Sequence, residues 1–115
     1  MIDFIKTWTK EEFKLYILIY AAQANLVESD EELDFIKSKF DSVSIDKIYK
    51  DVKDLNDFYR CQIIIDFIKS NSFTQDELDG MLLEVEKIFK SDGQFDIMEQ
   101  QSFYMLKKIL KINRS

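Results

Sequence analysis

Apolar residues recur through this chain at helical spacing, and polar capping residues stand at the start of each apolar stretch. Thr9 followed by Glu12 forms a capping box, in which each side chain accepts from the other's backbone N–H. Phe13, Ile17, Tyr20, Ala21 and Ala24 then fall on one face. The run LYILIYAA is apolar nearly all round, which predicts that this first helix is the most buried. It is expected to end near Asn25, a residue that tolerates a left-handed cap. Ser29 and Glu32 repeat the box pattern, and Leu33, Ile36 and Phe40 mark the inner face of a second helix. A short third helix is expected from Ser44 to about Leu55, with Ile45, Ile48, Tyr49 and Val52 inward. Asn56 or Asp57 caps a fourth, carrying Tyr59, Ile63, Ile64, Phe67 and Ile68. Thr74 and Glu77 open a fifth, whose stripe is Leu78, Met81, Leu82, Val85, Ile88 and Phe89. Gly93 closes that helix or the turn after it. Asp96 and Glu99 form a fourth box, followed by a last helix lined by Phe103, Leu106, Ile109 and Leu110.

The pattern predicts an all-α fold, a compact bundle of about six helices in one domain spanning 1–115. A coarse repeat runs through it. A shift of 67 residues puts Asn25 on Asp92, Ser29 on Asp96 and Glu32 on Glu99, with Leu15, Leu18 and Ala22 on Leu82, Val85 and Phe89. Each copy reads helix, acidic loop, capping box, helix, so two pseudo-repeated helical hairpins are expected.

Composition narrows this picture. Proline is absent and only two glycines occur, which favours long helices over a turn-rich β fold. Ten Phe and five Tyr supply large core groups. The formal net charge of −6 argues against nucleic acid or an anionic membrane as main partner, since both repel an acidic surface. Acids concentrate from Glu28 to Asp34, five with no base, whereas after Glu99 only bases occur, Lys107, Lys108, Lys111 and Arg114. The lone Cys61 cannot form an internal disulfide and is expected as a buried, inert thiol in a reducing compartment. The start, MIDFIKTW, does not read as a signal peptide, and no apolar run is long enough to span a bilayer. The expectation is a cytoplasmic chain without a membrane span.

The stretch from Ser91 to Glu99 carries the candidate chemistry. Asp92-Gly93-x-Phe95-Asp96-x-x-Glu99 matches the second half of a calcium-binding EF-hand loop. The first half fails, because its first and third ligand positions would be Ile88 and Lys90. Two readings stand. In one, Asp96 and Glu99 cap a helix and Gly93 supplies a positive φ. In the other, pseudo-symmetric hairpins bring Asn25, Glu28, Asp92 and Asp96 together, with Glu99, as oxygen ligands for Ca²⁺, Mg²⁺ or Mn²⁺. Zinc is unsuited, since there is no His and one Cys.

Thr9-Lys-Glu-Glu-Phe, LYILIYAAQAN and FKSDGQFDIMEQQSFYMLKKIL together resemble the TerB-like domains of the tellurite-resistance family over roughly residues 8–112. The resemblance implies a helical bundle with internal pseudo-symmetry, an acidic surface and links to stress response, metal-ion sensing or membrane-associated complexes. The second family motif is intact at Asp92, Gly93, Asp96 and Glu99. In the first, the family's Asp-Gly is Asn25-Leu26 here and Glu28 replaces a hydrophobic residue, while Ser29 and Glu32 persist.

Three functions follow as expectations. The first is a non-enzymatic acidic binding module that holds a divalent cation weakly and recruits a partner through Glu28, Asp30, Glu31, Glu32 and Asp34. The alternative is a cation-independent interaction protein, such as an immunity-type inhibitor that masks a basic surface, because charge steers association. An enzyme is disfavoured: without His or a glycine-rich phosphate loop, acid–base chemistry would rest on carboxylates alone. Oligomeric state is open; Trp8, Phe35 and Phe73 suit either a dimer face or the core.

Overall fold

The computed structural model describes residues 7–23, 30–90 and 97–112. Six α-helices account for nearly all of them: α1 (Lys10–Ala22), α2 (Asp30–Lys39), α3 (Ser42–Val52), α4 (Asp57–Ser70), α5 (Gln75–Phe89) and α6 (Ile97–Ile112). No strand occurs among the described residues. The protein is an all-α bundle, as the apolar pattern predicts.

The helix starts are set by side chains that satisfy the free N–H groups of a first turn. Thr9 and Thr74 each form the full reciprocal box, with Glu12 and Glu77. Asn56 caps α4 by accepting from Tyr59 N–H at 3.0 Å. The third helix departs from expectation. It begins at Ser42, because Asp41 Oδ1 accepts from Ser44 N–H at 2.7 Å and so caps the chain earlier than Ser44 would. It also ends at Val52 rather than Leu55. Likewise α1 ends at Ala22, with Gln23 rather than Asn25 as its cap. Gly93, Ser29 and Asp96, expected to cap or close helices, lie outside the described residues.

Helix α1 is the centre of the bundle. It packs against each of the other five helices. Its apolar sequence all round is therefore used all round: Phe13, Leu15, Tyr16, Ile17, Leu18, Ile19, Ala21 and Ala22 are buried. A stack of rings fills one end of the interior. Phe13 lies flat on Phe67 with centroids 4.3 Å apart, and Phe73 tilts against both. Trp8 is buried beside Tyr16, and its indole N–H reaches Asp51 at 3.0 Å. Phe35 and Phe73 pack on the core as partly buried groups, so none of these three aromatics leaves a bare surface.

The predicted repeat has a counterpart in the packing. Lys10 on α1 pairs with Glu77 on α5 at 3.4 Å, and these residues are 67 positions apart. Further along, Lys14, Ile17 and Leu18 share one cleft with Gly80, Met81 and Glu84. The two helices therefore run side by side in the same direction, in the register of the repeat. The remaining pairs are reciprocal as well: α1 packs on α2 as α5 packs on α6, and α1 meets α6 as α5 meets α2.

Gly80 lies within α5, where glycine costs about 1 kcal/mol relative to alanine. A Cβ at this position would meet nothing within 4 Å. Gly80→Ala is therefore expected to raise stability by about 0.5–1 kcal/mol, read as a shift in urea midpoint without a change in slope. A loss of stability would mean that the helix backbone at Gly80 is not in an ordinary helical state.

Candidate functional site

The residues expected to gather around a cation, Asn25, Glu28, Asp92 and Asp96, lie outside the described residues, as does the side chain of Glu99. Only the ends that lead to these loops are described. Because α1 and α5 run in parallel, Gln23 and Lys90, the residues that cap them, leave the pair at the same end. Among the described residues, no group of three His, Cys, Asp or Glu side chains is placed to hold a metal ion.

The acidic turn of α2 divides in two. Asp30, Glu31 and Asp34 are exposed, whereas Glu32 is fully buried. Glu32 therefore faces the interior and is not part of a surface that a partner can touch. Glu28 lies outside the described residues. The exposed acids occupy the first turns of the helix, where they favour its dipole, and Lys37 and Lys39 occupy the last turn.

Most other surface carboxylates of the α1–α5 face are already engaged. Glu77 is paired with Lys10, Glu84 with Lys39 at 3.3 Å, and Glu12 with Lys47 at 2.6 Å. The Lys47 ammonium, with the Thr9 N–H, holds the Glu12 carboxyl below its ordinary range. The cleft between α1 and α5, about 270 Å³, is bordered by these paired charges.

A second and larger cleft, about 450 Å³, opens where the end of α1 meets the start of α4 and the middle of α6. Tyr20 and Gln23 come from α1, Asp57, Phe58, Arg60 and Cys61 from α4, and Met105 from α6. Arg60 organises it. Its Nε donates to Leu55 O at 3.0 Å, one terminal nitrogen donates to Val52 O at 3.2 Å, and the other to Gln23 Oε1 at 2.5 Å. Its own carbonyl accepts from Tyr16 O–H at 2.7 Å. The guanidinium thus closes the carbonyl end of α3, where a cation is favoured by the dipole. Because Arg60 turns inward, Phe58 and Tyr59 are left outside, at 68% and 47% exposure. This reverses the inward placement expected of Tyr59.

Cys61 is half-buried at the wall of this cleft rather than sealed in the core, and burial raises its thiol pKa. A thiol kept protonated is a poor nucleophile. Burial likewise pushes the Tyr20 hydroxyl up to about 12, with Cys61 and Asp57 adding to the effect, so the cleft presents it as a neutral phenol. The signal for this site is present in the sequence: Phe58 and Met105 are apolar residues that fall off the stripes of their helices.

Comparison with protein-family models, with curated proteins and with solved structures gives no match. Among the described residues the chain is a bundle of six helices in which α1 and α5 run in parallel, with exposed acids on α2 and an aromatic-rimmed cleft between α1, α4 and α6. No helix among the described residues is long and apolar enough to cross a membrane.

Proposed function

We propose that this chain is a non-enzymatic interaction module, TerB-like in its arrangement, that binds a basic protein surface. The observation that carries this is the split of the acidic turn: Asp30, Glu31 and Asp34 project into solvent together on a chain of net charge −6. Carboxylates so placed steer a basic partner and set the register of contact. Among the described residues they are joined to no base by an ion pair.

The experiment is to measure association with a basic globular protein such as cytochrome c at several salt concentrations, with and without Asp30→Asn, Glu31→Asn and Asp34→Asn combined. Association should weaken steeply with salt, and the triple variant should slow it by about tenfold, mostly in the on-rate. Binding that is indifferent to both salt and the triple variant would remove the acidic turn from the interaction.

A divalent-cation role for the loops is favoured by one observation, the parallel register of α1 and α5, which sends both acidic segments off the same end of the pair. The ligands in this reading are Asn25, Glu28, Asp92, Asp96 and Glu99. Metal-stripped protein should then melt higher with one of Ca²⁺, Mg²⁺ or Mn²⁺, because a ligand that binds only the folded state stabilises it. The rise should vanish in Asp92→Asn. Identical melts with and without all three ions would leave these side chains as helix caps.

A further inference from the structure

We infer that the start of α1 carries an acid-released latch. The Glu12 carboxylate joins the Thr9 cap to Lys47 on α3, and its protonation frees the Trp8–Thr9 segment from α3 while the rest of the bundle stays folded. The inference is independent of the reading of the chain as an interaction module and concerns a different part of the fold.

The two oxygens of Glu12 are divided between cap and neighbour. Oε1 accepts from Thr9 N–H at 2.9 Å, and Oε2 accepts from the Lys47 ammonium at 2.6 Å. One turn further along α3, Asp51 Oδ2 accepts from the Trp8 indole N–H at 3.0 Å. Both of these ties to α3 pass through a carboxylate, which acid neutralises. From Thr9 to Glu12 every residue is polar, and Phe13 is the next buried apolar residue after Trp8. Beyond Phe13, α1 is enclosed by apolar contacts that do not titrate. The segment from Trp8 to Glu12 is therefore the part of α1 whose attachment depends most on charge, and weakly attached segments open before the whole domain does.

The α5 side of the same helix start is built differently. Lys10 reaches Glu77, but it also donates to Ser72 O and lies over the Phe73 ring at 4.7 Å. Those two contacts keep the ammonium when Glu77 is protonated, so acid loosens the α3 side first. The charged groups that meet this helix start are Lys47 and Asp51 from α3, Glu77 from α5, and Lys10, Glu11 and Lys14 on α1 itself. The Lys47 ammonium, followed by the Thr9 N–H, holds the Glu12 carboxyl below its ordinary range, and the Thr74 N–H, with Lys10, does the same for Glu77. A carboxyl depressed by folding contributes stability that is complete above its ordinary range and is lost as pH falls through its folded value. The latch is therefore closed at neutral pH and opens in acid.

Trp8 is the chain's single tryptophan and is 5% exposed, so its emission reports the latch in the intact protein. Emission and helix circular dichroism are followed together from neutral pH downwards. Trp8 should shift to the red, and become several-fold more accessible to acrylamide, at a higher pH than the helix signal is lost. Lys47→Met should move the Trp8 step to higher pH, because Glu12 then loses the cation that favours its charged form. Glu12→Gln keeps an acceptor for Thr9 N–H without the charge, so quenching should already be raised at neutral pH and the separate acid step should disappear. Lys47 is exposed and Glu12 lies outside the apolar core, so neither variant removes core packing. Asp51→Asn, which keeps an acceptor for the indole, and Glu77→Gln should both leave the step in place.

Coincident midpoints for emission and dichroism would overturn the latch, because Trp8 would then leave only with global unfolding. A step that Lys47→Met does not move would overturn the part assigned to the Glu12–Lys47 pair. A step that persists in Glu12→Gln and vanishes in Asp51→Asn would give the titration to Asp51 and overturn the proposal.

Discussion

Phe13→Ala is expected to destabilise the protein by about 3–5 kcal/mol, the range for truncating a fully buried aromatic residue. Phe13 has no exposed surface and lies on the central helix. Its ring is stacked on Phe67 at 4.3 Å with 7° between planes, and Phe73 closes the other approach at 5.7 Å. Removing it takes away the hydrophobic transfer of a ring and leaves a cavity walled by two more rings. Neither can follow the alanine inward, because Phe67 is fixed on α4 and Phe73 precedes the Thr74 cap of α5. Domains commonly have about 5–15 kcal/mol in total, so this one change consumes a large share. The check is urea unfolding followed by circular dichroism. Phe73→Ala, at a partly buried position, should cost clearly less. A cost for Phe13→Ala below about 1 kcal/mol would mean that the ring stack does not exist in solution.

Arg60→Met should cost about 2 kcal/mol, within the range for hydrogen bonds made by a charged group and discounted for partial exposure. The methionine keeps most of the side-chain volume, so the loss isolates the polar contacts. Three acceptors lose their donor: Leu55 O, Val52 O and Gln23 Oε1. One is the last carbonyl of α3, one lies in the turn between α3 and α4, and the third is on the residue that caps α1. One side chain thus ties three helix ends together. Arg60→Lys should recover less than half, because an ammonium cannot reproduce the planar fork that reaches three acceptors in different directions. Lysine matching arginine in a thermal melt would show that only the charge near the α3 terminus matters. The same variants should loosen the cleft that Arg60 and Cys61 share, so alkylation of Cys61 by iodoacetamide should speed up in Arg60→Met.

The stability of the helices was legible in the chain because the determinants are local. Thr9–Glu12, Thr74–Glu77 and Asn56 announce helix starts through side chains that reach only two or three residues ahead. The apolar stripes of α3, α4 and α5 name the core almost residue by residue, since burial on one face imposes the 3.6 period. The displaced start of α3 shows where this reasoning fails. Asp41 and Ser44 both make good caps, and the choice between them turns on which backbone N–H is left free, a question of one turn of chain.

The candidate site was less legible. Glu32 belongs to the acidic run by composition, yet it is buried while its neighbours Asp30, Glu31 and Asp34 are not. Position on a helix separates them, but only the packing of α2 on α1 and α5 says which side is inside. Tyr59 is similar. Its spacing from Ile63 suits the inner face, and the competing inward turn of Arg60 decides the matter through acceptors on α3 and α1 that no local pattern reveals.

By itself the sequence determined the class of fold, the number and approximate limits of the helices, the central place of the first helix and the acidic character of the surface. Each follows from periodicity, capping or charge, which act over a few residues or over the whole chain at once. The tertiary structure alone decided that α1 and α5 run in parallel at the spacing of the repeat, that one acid of the α2 run is buried, and that Tyr20, Phe58, Cys61 and Met105 share a cleft. Those facts depend on contacts between residues tens of positions apart, made possible only when the helices have docked and the conformational entropy of the chain has been spent.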